Sequence, residues 1–177
     1  MRLILDFSAV IGLSNLGLLD KVAEVFEIYV AEGVYEEVCK KGFCRVGSHE
    51  LQKLISNGKI KTLKAKDENK VKLLIDTLGK GEAETIVIAL ENQLIAVLDD
   101  RIARRKAENA GIKFFGTLRV LRHLYDKDII SKDELIKLLE KLRNLSFRIS
   151  DNVIEKLCKI YDEKTRSLTR YGCKEMV

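Results

Sequence analysis

The stretch AVLDDRIARR, residues 96–105, runs from an apolar segment directly into two aspartates and then into arginines. The apolar run at 94–98, LIAVL, is typical of a strand that is buried on both faces of a sheet, and a helical pattern follows from about residue 100 to about residue 110. Two adjacent carboxylates at the end of a buried strand cost free energy unless a helix N-terminus, a metal ion or an arginine stabilises them. The rest of the sequence decides among these three explanations.

Strands and helices alternate along the rest of the chain. Further strands are predicted at 2–6, 27–30 and 113–115, with an edge strand at 60–63, and helical patterns lie between them. Such an alternation is typical of a parallel sheet that carries helices on both faces. We therefore predict the α/β class, and specifically a three-layer α/β/α sandwich around a central parallel sheet.

The composition is that of a globular protein with one domain of ordinary size. The 177 residues are 46% apolar and 33% charged, and no run of about 18 apolar residues occurs, so we expect no membrane span. The strand predicted near the N-terminus leaves no room for a signal peptide, and a cytoplasmic location is the expectation.

The four cysteines and two isolated histidines lack the spacing of zinc ligands, which favours buried or reduced thiols.

Acidic residues follow two of the predicted strands. Asp6 ends the first strand, and Asp99 and Asp100 end the strand at 94–98. In sheets of this type functional groups gather beyond the carboxyl ends of the strands, so these acids are expected at one edge. Ser8 is a candidate N-cap for the helix that follows. The alternative explanation is that each acid is only a helix cap, placed where the helix dipole is positive.

A third acidic position lies at the start of an apolar helix. The segment GKGEAETIVIALENQ, residues 79–93, predicts a helix from 81 to 92 that is apolar on nearly all sides. At about 100° per residue, Glu84 and Glu91 point away from Glu82. Glu82 is therefore expected at the sheet edge and the other two on the opposite, solvent-facing side. An ordinary first-turn acid is the alternative for Glu82.

The fourth candidate lies in EGVYEEVCK, residues 32–40, where a short helix is predicted from Gly33 to Lys40. Two valines and a tyrosine define the apolar side of this helix, and by rotation Glu37 lies nearer that side than Glu36 does. Glu37 is therefore the inward-facing candidate, and exposure to solvent is its alternative.

Carboxylates that share one sheet edge repel one another and take up protons unless a cation joins them. Magnesium and manganese ions prefer oxygen ligands. Two such ions about 3.5–4 Å apart can clamp the attacking and leaving oxygens of a phosphodiester. The acids therefore indicate metal-dependent phosphodiester chemistry.

Basic residues are concentrated directly after the two aspartates. Residues 101–122 hold seven basic side chains and a single acid, and the net charge of the chain is +5. Arg101, Arg104 and Arg105 fall on one side of the predicted helix and are the candidate RNA-binding residues. A solvated basic helix face is the alternative.

Four motifs occur in order along the chain: LILDFSAVI (3–11), VYEEV (34–38), GEAETIVIAL (81–90) and AVLDDRIARRKAENAGI (96–112). This ordered set resembles the PIN-domain superfamily of small α/β/α metal-dependent ribonucleases, many of which are the toxins of toxin–antitoxin pairs. Two later motifs, GTLRVL at 116–121 and FRIS at 147–150, are similar to those of one prokaryotic branch of that superfamily.

The resemblance implies a PIN-like domain over 1–155 and a C-terminal helical tail over 156–177 that is either frayed or used in association. It places the catalytic acids of the family at Asp6, Glu37, Glu82 and at Asp99 or Asp100. Ser8 matches a polar residue that supports the first acid. The implied ligands of Mg²⁺ or Mn²⁺ are Asp6, Glu82, Asp99 and Asp100.

The function implied by the resemblance is a metal-dependent endoribonuclease that hydrolyses RNA phosphodiesters. Its implied partners are RNA, an antitoxin protein and a second copy of the chain in a homodimer.

The chain departs from the family pattern at two places. Phe7 stands where the family often has Thr, and Ala31-Glu32 stands where a Pro is common. Neither change removes an acid, but both leave open a non-catalytic RNA- or protein-binding module on the same fold. A receiver domain and a haloacid-dehalogenase-type phosphatase are disfavoured, because Asp6 stands alone after the first strand and position 8 is a serine.

Overall fold

The computed structural model describes residues 1–40 and 46–145. The FRIS motif and the tail predicted at 156–177 lie outside the described residues. Of the four cysteines, Cys39 lies inside them, where its thiol is free and buried. No helix in the described ranges is long and apolar enough to cross a membrane.

The sheet of the described chain has five parallel strands in the order β3-β2-β1-β4-β5. The strands are β1 (Arg2–Leu5), β2 (Glu27–Ala31), β3 (Ile60–Leu63), β4 (Ile95–Val97) and β5 (Phe114–Phe115). The predicted α/β class with a parallel sheet is thus confirmed, as is the edge position of β3.

Eight helices precede residue 128 in the described chain. They are α1 (Phe7–Leu16), α2 (Leu19–Val25), α3 (Glu32–Tyr35), α4 (Ser48–Ser56), α5 (Glu68–Ile75), α6 (Lys80–Asn92), α7 (Arg101–Asn109) and α8 (Thr117–Asp126). Together with the sheet they form the three-layer α/β/α sandwich. The helix predicted at 33–40 is α3 followed by a π-helical turn, Glu36–Lys40, which we call the π turn.

The central strand β1 is apolar because both of its faces are covered. Leu3, Ile4 and Leu5 are fully buried, and Leu5 lies opposite Val30 on one neighbouring strand and opposite Val97 on the other. Buried parallel strands lack the alternation of apolar and polar residues that marks a half-exposed strand. This register brings the ends of β1, β2 and β4 to one edge.

The chain divides into two compact units, Met1–Lys127 and Asp128–Val177. The described part of the second unit contains one helix, α9 (Lys132–Asn144). Ser131 caps it by accepting the N–H of Glu134 at 3.1 Å. Its buried leucines recur at helical spacing, as expected for an amphipathic helix: Leu135, Leu138, Leu139 and Leu142.

Candidate active site at the carboxyl edge of the sheet

Several helices of the first unit, including α1, α6, α7 and α8, begin at the carboxyl edge of the sheet. Helices α1, α7 and α8 directly follow the carboxyl ends of β1, β4 and β5. Helix α6 runs in the reverse direction to β4: it ends near the start of that strand, so its own first turn lies at the carboxyl edge. The N–H groups of a first helical turn have no partner within the helix and carry a partial positive charge. This edge therefore stabilises carboxylates.

Each of the five predicted acids accepts a backbone N–H at the start of one of these helices. Asp6 does so at α1, Asp100 at α7, Asp99 at α8, and Glu37 and Glu82 at α6. The helix-cap alternative is thus correct for the local geometry of Asp6 and Asp100, which are the N-cap residues of α1 and α7. A cap, however, occupies one carboxylate oxygen and does not exclude a second use of the same side chain.

Asp6 is the most deeply buried of the five acids. Its Oδ1 accepts the N–H of Ala9 at 2.7 Å, which caps α1, while its Oδ2 is buried and accepts no hydrogen bond within the described residues. Burial is the main cause that raises the pKa of Asp6 to about 8; the negative charges of Asp99 and Glu82 act in the same direction, and the backbone N–H groups of Ala9 and Asp99 oppose it. Such a carboxyl group requires a proton or a cation.

The expectation that Ser8 caps α1 is wrong. Asp6 has the extended backbone of an N-cap, with φ −78° and ψ 176°, and α1 starts at Phe7. Ser8 consequently lies inside the first turn of the helix, two residues after the acid that it was expected to support.

Thr117 and Arg104 together contact both carboxylate oxygens of Asp99. Its Oδ1 accepts the N–H of Thr117 at 3.0 Å and faces an Arg104 guanidinium nitrogen at 3.4 Å, and its Oδ2 accepts the Thr117 hydroxyl. A Cβ on Gly116 would lie 2.7 Å from Asp99 Oδ1, so only glycine fits there without displacement. Asp99 is therefore fixed in one orientation at the start of α8.

Asp100 makes different hydrogen bonds from those of Asp99. Its Oδ1 accepts the N–H groups of Ile102 at 2.7 Å and Ala103 at 3.0 Å, so it caps α7 and remains exposed. Its charge nevertheless contributes to the raised pKa of Glu82. Both adjacent aspartates thus lie within electrostatic range of the other acids.

Glu82 and Glu37 converge on the start of α6. Glu82 accepts the N–H of Gly79 at 3.2 Å, and Glu37 accepts the N–H of Gly81 at 3.2 Å. Partial burial raises the pKa of Glu82, and the charges of Asp100 and Glu37 add to this effect. The structure therefore joins the sequence-predicted acids into one electrostatically connected group.

The chemistry of this group fits an oxygen-preferring divalent cation. All of its side chains are carboxylates, and Asp6 Oδ2 is a buried acceptor without a donor in the described chain. Across 1–40 and 46–145, no three Asp, Glu, His or Cys side chains already form a metal-binding group. The carboxylates instead direct oxygens to helix N-termini. Asp6, Glu82 and Asp99 are the residues best placed to hold an ion.

The expectation that Glu84 faces solvent is wrong. Its direction away from Glu82 is as expected from helical rotation, but α3 covers that side of α6. Glu84 is buried and accepts the N–H of Gly33 at 2.7 Å. Glu91 also accepts backbone N–H groups, from Lys66 at 3.0 Å and Asp67 at 2.8 Å. Periodicity gives the direction of a side chain, not what packs against it.

The structure separates the three candidate arginines. Arg104 donates from Nε to the carbonyl of Leu98 at 2.7 Å and pairs with Asp99, and its guanidinium lies where a Cβ of Gly116 would be. Arg101 and Arg105 are exposed. Arg104 is therefore part of the site, while the other two remain on the surface beside it.

Thr117 contacts the site but is not among the functional candidates that the sequence indicates. This residue is fully buried and gives Asp99 two hydrogen bonds. The sequence feature that could have indicated it is the pair Gly116-Thr117 directly after the last strand, because a glycine allows close packing there and a threonine supplies a hydroxyl donor.

Two comparisons with known proteins bear on the family and the fold of the chain. The family described as "DUF3368: PIN domain" matches residues 2–163. A solved PilT N-terminus domain protein from the hyperthermophilic archaeon Sulfolobus solfataricus P2 is similar in fold with a TM-score of 0.52 and 14% identity, over 70% of this chain and 92% of that one. No curated protein matches the chain.

Proposed function

Because the chain belongs to the PIN-domain family, we propose that it is a divalent-metal-dependent endoribonuclease that hydrolyses RNA phosphodiesters. PIN domains are generally nucleases. The observation that carries the proposal for this chain is Asp6, a fully buried carboxyl group with an unsatisfied oxygen beside two further acids. A residue that served only as a helix cap would not need the second oxygen buried among like charges.

Each acid has a distinct part in this proposal. Asp6, with its proton lost to solvent, would hold Mg²⁺ or Mn²⁺ through Oδ2, and Asp99, fixed in its orientation by Thr117, would provide a second carboxylate. Glu82 and Asp100 complete the negative charge around the ion, and Glu37 is available to orient a water molecule. A bound divalent cation supplies Lewis-acid polarisation of the phosphodiester and makes a coordinated water more acidic.

The substrate in this proposal is single-stranded or structured RNA. Arg101 and Arg105 are exposed on α7, whose first residue follows the capping Asp100, so they are placed to contact phosphates near the acids. The proposal further includes a cytoplasmic homodimer that acts as the toxin of a toxin–antitoxin pair.

A non-catalytic RNA- or protein-binding module is the second candidate. It is favoured by one observation, the engagement of Asp99 with Thr117 and Arg104, which leaves that carboxylate less free to bind an ion. Such a module would bind RNA or a protein partner with no requirement for metal.

Cleavage of a labelled RNA by the purified protein decides between the candidates. We expect cleavage with Mn²⁺ or Mg²⁺ and none with EDTA or with Asp6→Asn. Asp20→Asn is the matched control, because Asp20 is an exposed acid on α2 that pairs with Lys59. RNA binding by wild type without metal-dependent cleavage would instead establish the binding module.

A further inference from the structure

Helices α3 and α6 meet backbone to backbone at two glycines. A Cβ on Gly33 would lie 2.8 Å from Glu84 Oε2 and 3.2 Å from the Cα of Gly81. A Cβ on Gly81 would lie 3.0 Å from Val34 Cγ2 and 3.1 Å from Glu37 Oε2. Neither position has room for a larger residue unless its neighbours move.

Two glutamates connect these helices in a reciprocal way. Glu84 of α6 accepts the N–H of Gly33 at 2.7 Å, near the start of α3. Glu37, on the π turn that continues α3, accepts the N–H of Gly81 at 3.2 Å, near the start of α6. Each helix therefore caps the other, and we call this arrangement the reciprocal cap.

The two halves of the reciprocal cap have different surroundings. Glu37 belongs to the group of acids at the candidate site, whereas Glu84 faces away from Glu82 and is buried against α3. Lys80 lies 3.7 Å from Glu84 and 3.1 Å from Glu36, so a cation partly balances this buried charge.

The position of Glu37 depends on α3. The four-residue helix α3 passes directly into the π turn, so a shift of α3 moves Glu37 with it. π-helical turns are rare and occur frequently at functional sites. The hydrogen bond from Gly33 to Glu84 is a buried anchor of α3 on α6.

We propose that Glu84 is a positioning residue that anchors α3 on α6 through Gly33 and thereby holds Glu37 at the candidate site. The role of Glu37 in cleavage rests on the proposed function. The mechanical coupling between Glu84 and Glu37 does not, and it is measurable in the protein without metal or RNA.

Amide hydrogen exchange of Gly81 tests the coupling directly. In Glu84→Ala we expect the Gly81 N–H, which bonds to Glu37 and not to Glu84, to exchange roughly tenfold faster, as for the loss of one hydrogen bond. Glu84→Gln keeps a carbonyl acceptor for Gly33 and should restore slow exchange. Glu91→Ala is the control, because Glu91 lies on α6 but bonds to Lys66 and Asp67.

A second perturbation covers the case in which Glu84→Ala does not fold. Glu84→Asp shortens the side chain by one methylene, which withdraws the acceptor from the Gly33 N–H, and should likewise accelerate exchange at Gly81. Unchanged Gly81 exchange in a folded Glu84→Ala or Glu84→Asp protein would overturn the proposal.

Cleavage kinetics provide the second readout. If Glu84 acts through Glu37, Glu84→Ala should lower kcat, Glu84→Gln should recover it, and Glu37→Ala combined with Glu84→Ala should be no worse than Glu37→Ala alone. Additive losses would show that Glu84 acts independently of Glu37. Absence of cleavage by wild type would reject the proposed function, while the exchange experiment would still decide the role of Glu84.

Discussion

The charge of Asp99 opposes the ionisation of Asp6 across two neighbouring strand ends. The backbone N–H of Asp6 bonds to the carbonyl of Val97 at 3.2 Å, so the chain leaves β1 and β4 at adjacent positions. Thr117 and Arg104 satisfy the carboxylate of Asp99, whereas Asp6 keeps one buried oxygen without a donor in the described chain. The pair thus consists of one stabilised carboxylate and one that needs a proton or a cation.

The stability of the metal-free protein should fall as pH rises. The pKa of Asp6 is raised from 3.8 to about 8 in the folded state, so the folded protein holds a proton that the unfolded chain releases. This contribution is fully present below about pH 4 and is lost as pH approaches 8, with a magnitude on the order of 5 kcal/mol. Urea denaturation in EDTA at a series of pH values measures it. Asp6→Asn should flatten the profile and Asp20→Asn should not; parallel profiles for wild type and Asp6→Asn would contradict the assignment.

Metal binding should release a proton at neutral pH. At pH 7 the Asp6 carboxyl group is mostly protonated, and a divalent cation needs the carboxylate. We expect Mn²⁺ to raise the melting temperature of wild type and to release about one proton per protein, measured by calorimetry in buffers of different ionisation enthalpy. Asp6→Asn should lose both responses. A melting temperature that does not change across a manganese titration would exclude a metal site at Asp6.

Thr117 should be required for the orientation of Asp99. Thr117→Val removes a buried hydroxyl donor at nearly constant shape, and we expect a loss of about 1–3 kcal/mol in unfolding free energy together with a lower kcat. Thr117→Ser retains the hydroxyl and should recover most of the activity. Urea denaturation and cleavage assays on the same three proteins provide the measurement. Equal kcat in all three would show that Asp99 needs no such support.

Much of the candidate site could be predicted because it follows from strand ends. Asp6 and Asp99 were placed at one edge by the rule that parallel strands share a carboxyl end, and the register of β1 with β4 confirms this arrangement of the strands. By spacing Asp100 takes the usual final acid position of the family, whereas Asp99 directly ends the strand, and which of the two binds an ion stays a prediction. The difference between their surroundings could not be predicted from spacing. It depends on α8, which supplies Thr117 to Asp99 and leaves Asp100 to cap α7.

Contacts between distant segments could not be predicted from one sequence. Periodicity places Glu84 correctly on the side of α6 opposite Glu82, but only packing shows that α3 covers that side. Gly33 and Gly81 were the sequence features consistent with this packing, because two helices that cross this closely leave no room for a Cβ at either position. The cap of α1 shows the same limit locally, because Asp6 and Ser8 are both good caps and the backbone at Asp6 decided between them.

Arg104 should behave as a part of the site, not as a surface cation. Its Nε bond to the Leu98 carbonyl and its contact with Asp99 are lost in Arg104→Ala, which should cost about 1 kcal/mol in unfolding free energy. Arg104→Lys keeps the charge but not the planar fork and should restore stability only in part. Urea denaturation of the three proteins measures this. If Arg104→Ala is as stable as wild type, Arg104 does not stabilise the site, and the hypothesis that it binds RNA would be favoured again.

Arg101 and Arg105 should carry the phosphate contacts that Arg104 does not make. Both are exposed on α7, and replacing both by alanine should leave the unfolding free energy unchanged within about 0.5 kcal/mol. RNA affinity should fall, and the slope of log affinity against log salt should decrease by about one unit for each lost contact, because fewer counterions are released. Fluorescence anisotropy of a labelled RNA across a salt series, with Asp6→Asn in the background to prevent cleavage, measures both quantities. Lys21→Ala on α2 controls for the loss of a basic side chain elsewhere. An unchanged slope in the double variant would place the RNA path away from α7 and leave the ribonuclease proposal dependent on the acids.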